Sequence, residues 1–362
     1  VLKLGDELMK YMHPRPSSIV AALYTARDLE VDVAILHGPS GCSFKHARLL
    51  EEDGMHVLTT SLADNEFIFG GQKPLENVLK YAEERFAPTR MAVIGTCVAM
   101  IIGEDLISAV ENANIKTPTI AVDIHAGYSE NIAGVLATLE AAQKAGWISD
   151  DELERQRILM EKANEVERIR GAASIAYIAP SRGDLKHIVA QQLIKFARSG
   201  KKGVAVLNAK KETAYMFADE LIALHDACPD ANITYIANLD DRGLPKVRED
   251  AKRIIKGMDD RGLTCDLIGA LDEYGANGEA IGQRLKSISP SFALLVGVPH
   301  AIPPEYTLGI ECFSITNGPR QVEPLRAIGH QHVIVEVDLH PKTLGVREIV
   351  ESEFGSVLRS LA

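Results

Sequence analysis

Short apolar runs alternate with longer helical patterns along the whole chain, and no other feature narrows the fold as far. The runs lie at 33–37, 57–61, 91–96, 118–123, 174–179, 203–208, 232–237, 265–270, 292–298, 311–316 and 332–338. Strands that alternate with helices predict parallel sheets with crossover helices. Eleven strands exceed one comfortable open sheet, so the expected fold is α/β, with two to three Rossmann-like domains. With 362 residues, 46% of them hydrophobic, the chain can bury two or three cores.

The clearest boundary is 149–171, where Ser149-Asp150-Asp151-Glu152 forms a capping box and opens a charged connecting helix that Gly171 ends. The Gly-rich, acidic stretch DEYGANGEA (272–280) marks a second break. The expected organisation is an N-terminal domain over 1–148, the connecting helix, a second domain over 172–272 and a third over 273–362.

Composition excludes several classes of function. A net charge of -11, with no Lys/Arg block interleaved with aromatics, argues against nucleic acid as a partner. FALLVGV (292–298) is far shorter than a membrane span and no basic-then-apolar leader opens the chain, so a soluble cytoplasmic protein is expected. GPSGC (38–42) follows a strand, but Gly41 precedes Cys42-Ser43 where a phosphate loop needs Lys and Ser/Thr. No G-x-G-x-x-G follows a strand either, so this chain is expected to bind no nucleotide.

Five cysteines, at 42, 97, 228, 265 and 312, are too dispersed for a disulfide framework or a C-x-x-C zinc site. Cys265 and Cys312 fit small buried core residues, and Cys228, beside Pro229, fits an inert thiol at a helix end. Cys42 and Cys97 differ: each follows a hydrophobic strand and has Gly neighbours. The carboxyl ends of parallel strands are where ligands bind. Two thiols there suggest a soft-metal site, and two is half of what an iron–sulfur cluster needs. Between them, TTSLADNEFIFGG (59–71) brings Phe67, Ile68 and Phe69 up to Gly70-Gly71. Those aromatics suit either a core or a docking patch, and spacing alone leaves both open.

HGPSGC, TTSLADNEFIFGGQKPLENVL and GTCVAMIIGEDL follow the order and spacing of the nitrogenase component 1 superfamily, and the chain resembles its short NifD-like branch from methanogens. The motifs cover roughly the first third of the chain. The resemblance implies the catalytic component of a two-component, ATP-dependent reductase. Its reaction would be multi-electron reduction of a nickel tetrapyrrole with lactam ring formation, in coenzyme F-430 biosynthesis and methanogenesis. By motif match, Cys42 and Cys97 take two cluster-ligand positions, and Phe69, Gly70 and Gly71 lie where the family docks its ATP-hydrolysing, nitrogenase-reductase-like partner.

One departure is informative. Nitrogenase-type subunits carry a further cysteine upstream of the GPxGC loop, whereas this chain reads MHPRPSS (12–18). His13 lies near the missing position, but a histidine before proline is more often structural and is not assigned as a ligand. Two thiolates per chain make a [4Fe–4S] cluster possible if each protomer of a homodimer gives Cys42 and Cys97. Lys45 and Arg48 are candidates for the substrate's carboxylates, and SRGDLKH (181–187) is a second possible anion site. His37, His46, Asp123 and His125 are candidate proton donors by position only. The alternatives are another nitrogenase-like tetrapyrrole reductase, a non-enzymatic iron–sulfur cluster assembly scaffold, or a small-molecule binding protein with core cysteines.

Overall fold

A computed structural model describes residues 16–128, 131–172, 177–336 and 345–362. Two compact units divide within the helix that starts at Asp150: Arg15–Ile158 with Leu244–Lys246, and Leu159–Gly243 with Val247–Ala362. His13 lies outside the described residues.

The first unit holds a parallel sheet of β1 (Val33–His37), β2 (His56–Thr59), β3 (Met91–Gly95) and β4 (Thr119–Val122) in the order β2-β1-β3-β4. Its helices are α1 (Ser18–Asp28), α2 (Phe44–Glu52), α3 (Asp64–Phe69), α4 (Gln72–Phe86), α5 (Cys97–Ile102), α6 (Leu106–Ala113) and α7 (Ile132–Lys144), with α8 (Asp150–Ile169) following. Successive strand side chains point to opposite faces. Val33, Ile35, Met91 and Val93 therefore share one face, where they pack on Leu75, Leu79 and Ala82 of α4 and Leu106, Ala109 and Ala113 of α6. Helices α1 and α7 pair with each other; a Cβ on Gly134 of α7 would lie 1.9 Å from the Ser18 carbonyl oxygen, so only glycine permits that approach. Glu152 N–H donates to Ser149 Oγ at 3.2 Å, which caps α8 at its start.

The second unit contains α9 (Lys186–Ala197), β5 (Gly203–Asn208), α10 (Ala214–Ala227), β6 (Ile233–Ala237), α11 (Pro245–Asp259), β7 (Asp266–Leu267), α12 (Gly278–Ile288), β8 (Phe292–Gly297), β9 (Glu311–Thr316), α13 (Val322–Ala327), β10 (His332–Val335) and α14 (Glu353–Ser360). Its six strands run parallel in the order β10-β9-β8-β5-β6-β7. Strands β5 and β8 are buried along their whole length, as expected of a parallel sheet covered on both faces. One face packs Val204, Val206, Ala293 and Leu295 against Ile281, Leu285 and Ile288 of α12.

Two sequence expectations change here. The break placed between 272 and 273 does not separate two sheets, because β8 hydrogen-bonds to β5 and makes 172–272 and 273–362 parts of one sheet. The Gly-rich stretch is a turn of that unit, and the described residues form two Rossmann-like sheets. Of the expected strand 174–179, residues 177–179 form no strand and the remainder lies outside the described residues.

Both sheets have a topological switch point. In the first, the chain leaves β1 for β2 on one side and returns to β3 on the other; in the second, β5 and β8 flank the reversal. Crevices at the carboxyl ends of such strand pairs are where open α/β sheets hold ligands.

Candidate functional site

Cys42 and Cys97 meet at the first switch point. His37, last in β1, is in register with Gly95, last in β3, so the two cysteine loops leave the sheet at one level. The loop after β1 turns at Pro39, whose carbonyl accepts Cys42 N–H at 3.1 Å. Thr96 stitches the loops together, its hydroxyl donating to the His37 carbonyl at 2.9 Å. A Cβ on Gly38 would lie 2.2 Å from Thr96 Oγ1, so glycine is required for this close approach. Cys97 is the first residue of α5 and Ser43, in the left-handed conformation, caps α2 immediately after Cys42.

Both thiols are half-buried. Burial pushes the Cys42 thiol up, the neighbouring Cys97 sulfur adds to the rise, and the Thr96 hydroxyl opposes it. That electrostatic coupling marks the two sulfurs as neighbours. Ala126 N–H donates to Cys97 Sγ at 3.2 Å, from a loop after β4 in which His125 and Tyr128 stack with ring centroids 4.2 Å apart. The other cysteines sit apart. Burial pushes both Cys265 and Cys312 up to about 12, as suits inert thiols, and Cys228 caps α10 in the core.

Two sulfurs fit half of a tetrathiolate site. Among the described residues, no group of three or more His, Cys, Asp or Glu side chains could hold a metal ion. The pair has the soft donors a cluster needs, amide and hydroxyl groups directed at the sulfurs, and open space beside Gly41.

Phe69, Gly70 and Gly71 are tied to the same place. Phe69 ends α3 and is 85% exposed, with Ile68 beside it also exposed, so the aromatic tip is no core residue. Gly71 N–H donates to Glu104 Oε1 at 2.6 Å, and Glu104 Oε2 lies 3.4 Å from His37 Nε2. A carboxylate only accepts, so Nε2 carries the imidazole proton and Nδ1, 3.1 Å away, accepts from the Thr60 hydroxyl. Burial holds His37 below its ordinary value while Glu104 pulls the other way. Glu104 thus joins the exposed aromatic tip to the strand that delivers Cys42. In the sequence, Gly103-Glu104-Asp105 has the look of an ordinary acidic helix start. Asp105 is the residue that caps α6, accepting Ser108 N–H at 3.0 Å.

Lys45 and Arg48 lie exposed on α2 just past Cys42. His46 Nδ1 is 3.5 Å from Tyr24 Oη, and His125 Nδ1 accepts Gly127 N–H at 3.0 Å. Within SRGDLKH, Asp184 accepts Val333 N–H at 2.7 Å and Lys186 pairs with Glu336 and Glu353 at 3.0 and 2.6 Å. That stretch ties the second sheet to α14, and the charges of Asp184 and Lys186 are used within the fold.

Fold, switch-point cysteines and exposed FIFGG tip define a class: residues 17–159 match the family model of nitrogenase component 1 type oxidoreductases. The chain is 54% identical over 359 residues (97% of each chain) to component CfbD of the Ni-sirohydrochlorin a,c-diamide reductive cyclase complex of Methanosarcina acetivorans. The component of the same name from Methanothermobacter thermautotrophicus is 47% identical over 353 residues, 96% of this chain and 98% of the relative. The nitrogenase molybdenum-iron protein alpha chain of Clostridium pasteurianum is 30% identical over 114 residues, 28% of this chain and 21% of that one. The chain belongs to the CfbD family of nitrogenase component 1 type oxidoreductases.

Proposed function

We propose that this chain is the catalytic component of a two-component, ATP-dependent reductive cyclase. Its substrate is Ni-sirohydrochlorin a,c-diamide, whose macrocycle is reduced with closure of a lactam ring in coenzyme F-430 biosynthesis. Near-full-length identity to CfbD components supports the substrate. The observation that carries the chemistry is the meeting of Cys42 and Cys97 at the first switch point.

Cys42 and Cys97 would hold one half of a [4Fe–4S] cluster, and the same two residues of a second copy would hold the other half, making the working unit a homodimer. A bound cluster supplies one-electron relay. The protein's own part is to hold the two sulfurs level, through the Thr96 bridge and the glycine at 38, and to direct the Ala126 N–H at one of them. Exposed Phe44, Met100 and Ile101 follow the two cysteines on α2 and α5, an apolar rim suited to burial by a second copy. Phe69, Gly70 and Gly71 form the docking tip for the reductase partner, which hydrolyses the ATP. Lys45 and Arg48 supply cations for carboxylates of the substrate.

Among the described residues no helix is long and apolar enough to cross a membrane. The five cysteines form no disulfide, which suits a reduced cytoplasm.

The test is an anaerobic assay with the reductase partner, ATP, a reductant and the nickel pigment. ATP-dependent change of the pigment's absorption, abolished in Cys42→Ala and Cys97→Ala, is the expected result. A pigment spectrum that never changes with active partner and ATP present would overturn the assignment.

A further inference from the structure

The second switch point carries polar chemistry that the cysteine site does not use. Asn208, last in β5, is in register with Gly297 of β8, which is in register with Thr316 of β9. Just beyond these level positions the chain places Lys210, His300 and Gln321. All three converge on one carboxylate, Glu167 of α8: Lys210 Nζ lies 3.1 Å from Oε1, His300 Nε2 3.4 Å from Oε1, and Gln321 Nε2 3.1 Å from Oε2. Burial pushes the Glu167 carboxyl up, but Lys210 and His300 outweigh it and hold it well below the usual carboxylate range. Lys210 also lies over the Tyr274 ring, 5.0 Å from its centroid.

The ion pair leaves other atoms unanswered. Asn208 Oδ1, Gln321 Oε1 and both His300 ring nitrogens are buried without a hydrogen-bond partner among the described residues, His300 Nε2 meeting Glu167 only as an electrostatic contact at 3.4 Å. The amide orientations are fixed by their nitrogens, since Asn208 Nδ2 donates to the Tyr274 carbonyl at 2.9 Å and Gln321 Nε2 to the Glu167 carboxylate. Both oxygens are therefore free acceptors. Asn208 and His300 are 2% exposed and Gln321 8%, whereas the side chains of Lys210 and Glu167 are 30% and 20% exposed, so the cluster reaches solvent on the ion-pair side.

Buried polar atoms without partners carry a large desolvation cost, and a ligand that answers them is strongly favoured over one that does not. The need here is for N–H donors in front of two amide oxygens and of His300 Nδ1, which accepts because the proton-bearing Nε2 faces Glu167. A primary carboxamide offers two such N–H groups. A carboxylate would set lone pairs against the two oxygens, and an ammonium would face Lys210.

We propose that the cluster of Asn208, His300 and Gln321, at the carboxyl ends of β5, β8 and β9, binds a primary carboxamide of the substrate. This site makes the protein select the diamide over the same pigment with carboxylic acids at the a and c side chains. The inference rests on the substrate reading above and goes beyond it by assigning the recognition to these residues.

The test measures binding, without turnover, by equilibrium dialysis of the full-length protein against both nickel pigments. The wild type is expected to prefer the diamide by about 100-fold or more, as sites built around a substrate N–H discriminate. Gln321→Met, which keeps the volume and removes the acceptor, should weaken diamide binding about tenfold or more and leave the diacid unchanged. Should Gln321→Met fail to fold by circular dichroism, Gln321→Asn, which withdraws the amide by one methylene, carries the same expectation. A folded variant that lowers both affinities equally, or neither, overturns the carboxamide site and leaves the reductive cyclase reading standing. A wild type that binds both pigments equally does the same. A wild type that binds neither pigment overturns both.

Discussion

Glu104 is the residue through which the exposed tip and the Cys42 strand are mechanically joined, and its removal has a calculable cost. The carboxylate accepts Gly71 N–H at 2.6 Å and lies 3.4 Å from His37 Nε2, with 6% of its side chain exposed. A hydrogen bond to a charged group contributes about 1.5–3 kcal/mol, and leaving the Gly71 N–H and the His37 proton unanswered adds to the loss. Glu104→Ala should cost about 2–4 kcal/mol. At about 2–4 °C per kcal/mol for a unit of this size, the melting temperature should fall by about 4–16 °C. Glu104→Gln retains an oxygen for Gly71 but turns its NH2 towards His37 Nε2, so the imidazole must move its proton to Nδ1 and donate to the Thr60 hydroxyl, for a cost of about 1–2 kcal/mol. Calorimetric melts of the three proteins at pH 7 measure the series. Equal melting temperatures for wild type and Glu104→Ala, within about 1 °C, would refute the join.

Three further outcomes follow from named contacts. Gly38→Ala places a methyl group 2.2 Å from Thr96 Oγ1, which should cost about 1–3 kcal/mol in denaturant unfolding and lower bound iron after reconstitution. Phe69→Ala removes an exposed side chain, so its unfolding free energy should stay within about 0.5 kcal/mol while partner-dependent turnover falls; unchanged turnover counts against the docking tip. Burial lowers His330 to about 4, with His300 adding to the fall, so the unfolded state binds the proton more readily. Stability should therefore decline as pH drops from about 6.5 towards 4, by an order of 3 kcal/mol. Unfolding titrations at pH 7 and pH 4.5 should show that decline flattened in His330→Asn.

The strand periodicity and the Gly-Cys endings were legible because they are local. A buried parallel strand needs a continuous apolar run, and a close loop crossing needs glycine, so VAILHGPSGC and MAVIGTC announce both. Sheet membership is not local. The turn at 272–280 looks like any interdomain break, and only the pairing of β5 with β8 reveals that one sheet continues through it. Acidic residues favour a helix start, so nothing local sets Glu104 apart, yet its neighbour Asp105 takes the cap and Glu104 reaches Gly71. The cluster around Glu167 was invisible for a related reason. Glu167 lies in a strongly charged helix whose sequence shows only a thin apolar stripe, and Lys210, His300 and Gln321 come from three separate strand ends. A His three residues past the buried FALLVG strand was the one signal that could have pointed there.

The central claim is that Cys42 and Cys97 form half of a cluster site completed by a second copy of the chain. Iron and sulfide analysis of anaerobically purified protein, with its mass determined by light scattering, tests it most directly. About four irons per dimer, lost from both Cys42→Ala and Cys97→Ala, is the predicted result. A well-folded wild type that stays iron-free after anaerobic reconstitution, or one that holds four irons as a monomer, would contradict it.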